Sequence, residues 1–152
     1  MILGFTGTRQ GMTEQQRFAV SEFLDERKPT ETHSGDCKGA DSQFLDAALL
    51  CNGNSPPRTH GHPCSIEKWR AFRRYNSLHP VKNALARNQD IVDASDELLA
   101  APKSSKNSDR VGGTWDTIRK ALKAKKTVTV VWPDGTKNTW GYTSLAEIFG
   151  VN

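Results

Sequence analysis

Apolar positions along this chain switch repeatedly between short runs and sets of helical period, the signature of strands alternating with helices. Ile2-Leu3-Gly4-Phe5 reads as a short buried strand. Thr13-Glu14-Gln15-Gln16 then has the pattern of a capping box. Ala19 with Phe23, and Val20 with Leu24, each four apart, predict a helix to about Arg27, closed by Pro29. A second strand is expected at 31–33 and a second helix at 40–50, with Phe44, Ala47 and Ala48 facing inward and Asn52-Gly53 as a left-handed end. Residues 57–62 make a polar third strand stopped by Pro63. The stretch 65–79 places Trp69, Phe72 and Tyr75 three apart among arginines, one face if it is helical. Pro80 opens a helix through Ala84, Leu85, Ile91 and Val92, followed by a buried strand at 96–102 and a polar loop at 103–110. Trp115, Ile118 and Leu122 mark the next helix, 127–132 is the clearest strand, Asp134-Gly135 is a turn, and 139–149 adds a strand and a short helix.

Such alternation implies an α/β fold whose strands pair in parallel through right-handed crossovers, so the loops that follow the strands share one edge of the sheet. The length of 152 residues suits a single domain, 1–152, with helices on both faces. No long apolar run, secretory signal or lipidation motif is present, and the expectation is a soluble cytoplasmic protein with no membrane partner. Cys37, Cys51 and Cys64 are odd in number without paired spacing, which argues for reduced thiols rather than a disulfide framework. The net charge of +4 is uneven: residues 1–55 are acidic on balance. The basic excess lies in Arg70, Arg73 and Arg74 and in Arg119, Lys120, Lys123, Lys125 and Lys126, as solvated faces or as an anion-attracting rim.

The candidate chemistry is concentrated in three glycine-bearing turns, Gly7-Thr8-Arg9-Gln10-Gly11, Gly35-Asp36-Cys37-Lys38-Gly39 and Gly112-Gly113-Thr114, each between an apolar stretch and a helical pattern. A helix start leaves backbone N–H groups unpaired at a positive dipole end, and glycine lets the main chain approach an anion closely. One such turn is an ordinary connection, whereas three point to a shared phosphate-binding edge. Arg9 offers a planar cationic fork to phosphate or carboxylate, against an alternative surface ion pair. Asp41 either complements the helix dipole or accepts from ribose hydroxyls or a base amino group. Thr114 caps its helix or bonds a phosphate oxygen, and Trp115 stacks on a base or fills the core.

Gly7-Thr8-Arg9 with Gly11-Met12-Thr13, His33-Ser34-Gly35 through Cys37 and Lys38-Gly39-Ala40-Asp41, His62-Pro63, Arg87-Asn88 and Gly112-Gly113-Thr114-Trp115 occur in an order that resembles the SLOG superfamily. That group joins the DNA-processing protein DprA, the LOG-type cytokinin-activating phosphoribohydrolases and other Rossmann-like proteins. The resemblance covers roughly the first four-fifths of the chain, with no distinguishing match beyond Trp132. It implies a Rossmann-like three-layer α/β/α domain with a mainly parallel sheet of order 3-2-1-4-5, to which the residue pattern adds the short C-terminal strand and helix. It also implies that a nucleotide or nucleotide-derived molecule, such as an ADP-ribose-type or cyclic nucleotide signal, binds across the carboxyl edge, with Arg87 facing the ligand. No resident cofactor is called for, and a homo-oligomer is expected because related folds pair through helices.

The departures concern catalysis. LOG-type hydrolases carry Pro-Gly-Gly-x-Gly-Thr-x-x-Glu, and the place of that glutamate is taken here by Thr117. Cleavage of a bond between base and ribose is work suited to a carboxylate, and the candidates are Asp116, displaced by about 100° on a helix, with Asp36 and Asp41 from another loop. The reading therefore favours a binding protein, a sensor or a sequestering module, over a phosphoribohydrolase. A DprA-like single-strand DNA binder would use the basic excess and the rings at 69, 72 and 75. His60, His62 and Cys64 alternate and His33 with Cys37 could approach them, yet Pro63 interrupts the run, no Cys-x-x-Cys exists, and no metal is expected.

Overall fold

A computed structural model describes residues 1–106 and 108–150; Asn107, within the expected polar loop, and the last two residues of the expected domain lie outside the described residues. Seven strands form one sheet: β1 (Ile2–Gly7), β2 (Glu31–Ser34), β3 (Arg58–Gly61), β4 (Ser77–Leu78), β5 (Glu97–Ala101), β6 (Thr127–Val131) and β7 (Lys137–Trp140). Their spatial order is β4-β3-β2-β1-β5-β6-β7, parallel throughout except for β6 with β7. The five inner strands take the order expected of a Rossmann-like sheet. β4 was not foreseen: two residues of the 65–79 stretch extend the sheet beyond β3.

The strands sort their side chains by alternation, as a sheet covered on both faces requires. Leu3 and Phe5, with Leu99, Ala101 and Val131, face α1 (Glu14–Arg27) and α2 (Ala40–Leu50), where Phe5 stacks on Phe44 with ring centroids 4.3 Å apart. Leu98, Ala100, Val128 and Val130 face the other way, toward α3 (Ala84–Ala94) and α4 (Gly113–Lys123). The short α5 (Leu145–Phe149) closes this second core through Leu145. Trp115 belongs here: it is buried against Trp132, Trp140 and Phe149, so the core reading of that ring holds.

α1 opens with the expected capping box, the Thr13 hydroxyl accepting from the Gln16 N–H and the Gln16 side chain accepting from the Thr13 N–H. Gln16 does more than cap. It is fully buried, and its amide donates to the carbonyls of Pro102 at 2.7 Å and Val131 at 3.0 Å, pinning the carboxyl ends of β5 and β6 to the helix start.

The 65–79 stretch is not the helix that its ring spacing suggested. It holds one 3-10 turn, Glu67–Trp69, and otherwise runs as an extended strap over the second glycine turn. The Lys38 N–H donates to the Trp69 carbonyl and the Ala71 N–H to the Asp36 carbonyl. The rings consequently diverge: Trp69 lies under Arg9, Phe72 is exposed beside Arg70, and Tyr75 packs on Gly61. Polar contacts override periodicity here, because Asp36 is completely buried and accepts from Arg70 Nε and Nη2, the Arg73 N–H and the Tyr75 hydroxyl. α3 likewise starts later than Pro80 suggested, at Asn83, whose side chain accepts from the Ala86 N–H.

Gln16→Leu keeps the helix length but leaves two strand-end carbonyls and the Thr13 N–H without this partner. It is expected to destabilise the fold by about 2–3 kcal/mol, read as a lower urea midpoint with an unchanged m-value.

Candidate functional site

The chain runs outward from β1 through β2 and β3, then returns to lay β5 and β6 on the other side of β1. That reversal opens a crevice between the carboxyl ends of β1 and β5, where open α/β sheets take their ligands. A cleft of about 1040 Å³ occupies it. All three glycine turns contribute, through Gly7, Thr8 and Arg9, through Gly35, Cys37 and Asp41, and through Gly112, Gly113, Thr114 and Trp115, with Arg87 and Asn88 from α3 completing the wall.

The first two turns are locked to each other. A side chain at Gly7 would collide with Ala40, and one at Gly39, which has φ +85°, would run into the backbone of Arg9 and Gly11. The Ala40 N–H donates to the Thr8 carbonyl at 2.9 Å, so the start of α2 is closed by the first turn rather than left for an anion. Gly39 and Ala40 serve this close approach and do not line the cleft. Gly11, at φ +94°, and Met12, buried in the core, shape the turn from behind.

The third turn is open. Gly112 adopts φ +104° and caps α4 without any side-chain hydrogen bond, and neither it nor Gly113 has an atom within 4 Å of the place a Cβ would occupy. Thr114 lines the cleft without capping the helix. Amides at the start of an 11-residue helix thus face free space at the positive end of its dipole.

Arg9 is exposed at the mouth, its guanidinium carbon 3.7 Å from the centroid of the Trp69 ring, and among the described residues it has no ion pair with a carboxylate. A cation held flat on a ring keeps its edge donors for a ligand. Arg87 is the buried counterpart: Nη1 donates to the carbonyls of Gly35 at 2.7 Å and His62 at 3.1 Å, and Nε donates to the Asn88 side chain. Glycine is required at 35 because a Cβ there would strike this guanidinium and the Asp41 carboxyl. Asp41 accepts from the Cys37 N–H at 3.0 Å, and burial pushes its carboxyl up to about 6, against the opposing pull of Arg87 and the Cys37 amide. Burial likewise drives the Cys37 thiol up to about 12, so it rests as a neutral lining group. All three cysteines are free and buried.

Four more of the expected residues are placed elsewhere. Asp36 has its carboxylate consumed by the strap, Ser34 is buried at the end of β2, and His62 is buried on the face under α3, offering only its backbone carbonyl to Arg87. Asp116 is turned from the cleft, accepting from Lys120 and Asn88, while Thr117, in the place of the catalytic glutamate, is fully buried and bonds the Gly113 carbonyl. Further lining residues include Leu85, Lys103 and Val111, which sequence patterns did not mark for a ligand, and Trp69, which they marked only as a stacking ring for single-stranded DNA. Lys103 had a signal in its position just past a strand end on the ligand edge.

No protein-family model matches the sequence, and no curated protein matches it. Among solved structures, the chain is similar to the molybdenum cofactor binding protein from the phototrophic bacterium Rippkaea orientalis, with a TM-score of 0.61 at 18% identity, covering 86% of this chain and 76% of that one. The likeness establishes the shared α/β fold. Among the described residues, no helix is long and apolar enough to cross a membrane.

The raised Asp41 carboxyl makes a pH prediction. Its folded value, about 6, exceeds the ordinary 3.8, so the folded state binds the extra proton between these values and stability from this group falls as pH rises through that window. Asp41→Asn removes the titration. Its stability relative to the parent is expected to rise by something on the order of 2–3 kcal/mol between pH 3.5 and pH 7, measured by urea unfolding at both.

Proposed function

We propose that this cleft captures a phosphorylated nucleotide or nucleotide-derived small molecule, and that the chain acts as a SLOG-type binding module, a sensor or a sequestering protein. The observation that carries the reading is the meeting of three main-chain turns in one crevice, with the third left open at a helix start. A phosphate fits against the amides of Gly113 and Thr114, where no side chain competes for the space. Arg9 supplies the cationic clamp, and Lys103 adds to the positive rim. Asp41 lies in the cleft as a hydroxyl acceptor suited to a ribose, and the exposed Leu85 and Val111 give the rim apolar surface for a base. The cofactor-binding activity named for the structural neighbour is consistent with small-molecule binding on this scaffold.

One observation favours turnover as a second reading: Asp41 is a cleft carboxyl that keeps its proton to about pH 6. It could protonate a departing base in an N-glycosidic hydrolysis, whereas Asp116, held by Lys120, is not positioned for that work. Release of free base from nucleoside monophosphates, abolished in Asp41→Asn, distinguishes hydrolysis from capture.

For binding, native mass spectrometry of protein purified from its own host is expected to reveal a retained nucleotide-like mass. In calorimetry against that molecule, Arg9→Ala and Gly113→Asp are each expected to lower affinity at least tenfold while melting stays cooperative. Undiminished affinity in both variants overturns the site.

A further inference from the structure

The four histidines of the chain all meet at one point, outside the cleft. His33 comes from β2, His60 from β3, and His62 and His79 from just past the ends of β3 and β4, so three adjacent parallel strands deliver them. His33 and His60 are in register with Gly4, whose open side faces Ile91 and Ser95, which sets the cluster on the sheet face beneath α3. The rings of His33 and His60 stack with centroids 4.1 Å apart, as do those of His62 and His79. The two stacks are joined edge to edge, His33 Nδ1 to His62 Nε2 at 2.7 Å and His60 Nδ1 to His79 Nε2 at 3.0 Å.

Packing alone does not explain this choice of residue. Aliphatic side chains would fill the same space without nitrogens to satisfy. The hydrogen bonds instead impose a direction. Glu31 Oε1 lies 2.8 Å from His60 Nε2 and accepts its proton, which makes His60 Nδ1 an acceptor for the Nε2–H of His79. His79 Nδ1 is then left with a free lone pair. Metal-ligating histidines are oriented by a hydrogen bond from their other ring N–H to an acceptor, and for His79 that acceptor is the His60 ring, itself fixed by Glu31.

We propose that His33, His62 and His79 form a binding site for a divalent transition-metal ion of the zinc type, with His60 and Glu31 as the hydrogen-bonded pair that orients His79. One ligand atom from each of the three lies within 4.8 Å of the others. Donors on a tetrahedral zinc stand roughly 3.3 Å apart, so His33 and His62 need only part slightly and His79 swing inward. Three neutral imidazoles leave the ion's charge to be balanced by Glu31 from β2 and by Asp90 from α3, which also pairs with Lys82 beside His79. Neither Cys37 nor Cys64 belongs to the group. The bound ion cross-links β2, β3 and the two-residue β4, and through the His62 carbonyl it buttresses Arg87 behind the cleft.

The test uses the untagged full-length chain, stripped with a chelator and titrated with zinc and with cobalt. One equivalent of zinc is expected to bind and to raise the melting temperature by several degrees. Cobalt is expected to give the visible absorption of a four-coordinate site without a thiolate charge-transfer band. Glu31→Gln, which keeps the side-chain length and removes the charge, is expected to weaken zinc tenfold or more while melting stays cooperative. His62→Ala with His79→Ala removes stoichiometric binding, and Cys64→Ser leaves it intact. An unchanged melting temperature in excess zinc, a thiolate band in the cobalt spectrum, or full binding by the double histidine variant overturns the assignment.

Discussion

A single buried guanidinium organises this end of the molecule. Arg87 reaches from α3 under the carboxyl edge and donates to the carbonyls just past the ends of β2 and β3, at Gly35 and His62. Its charge is not matched by a close carboxylate; carbonyl dipoles and the more distant Asp41 share that task. Removing water from a permanently charged group is costly unless its donors are filled, so the surrounding backbone must hold its carbonyls in place. The glycine at 35 is a consequence of fitting that group into the interior, and its positive charge works against the burial that raises the Asp41 carboxyl and the Cys37 thiol.

Around this anchor the cleft divides into a rigid half and an open half. The first two turns interlock through Gly7, Ala40 and Gly39, and the strap fastens to the second turn through Asp36. The third turn makes no comparable contact at Gly112 or Gly113. Such an arrangement limits the ordering cost of capture, because one wall is preorganised while the other keeps unpaired amides at hand.

The layers were legible because β1, β5 and β6 carry apolar runs and the long helices apolar positions of helical period, and because α1 announces itself with a capping box, while the strand order came with the resemblance. The three glycine turns were legible as an edge. What their residues do individually was not: Gly39 and Gly7 look like ligand glycines in sequence, but their need for glycine comes from each other's neighbours. The 65–79 stretch misled because rings three apart mimic a helix face, while its conformation is dictated by Asp36, some thirty residues earlier. Gln16 hid for the same reason, since a polar residue on an apolar stripe reveals its partners only when two distant strand ends arrive. Of the histidines, His60 and His62 with His33 from the neighbouring strand were legible as a group, but His79 was not, because register between strands rather than spacing within one brings it in.

The margins of the sheet carry a consequence for assembly. One border is a strand of only two residues, and the other is a hairpin arm bearing Lys137, Asn138 and Thr139, largely exposed. Neither offers the long, flat, apolar ladder on which a neighbouring copy could extend the sheet. Growth into edge-paired filaments is thereby discouraged, and any pairing of copies falls to the helical faces, where Phe18 on α1 and Leu50 at the end of α2 stand exposed.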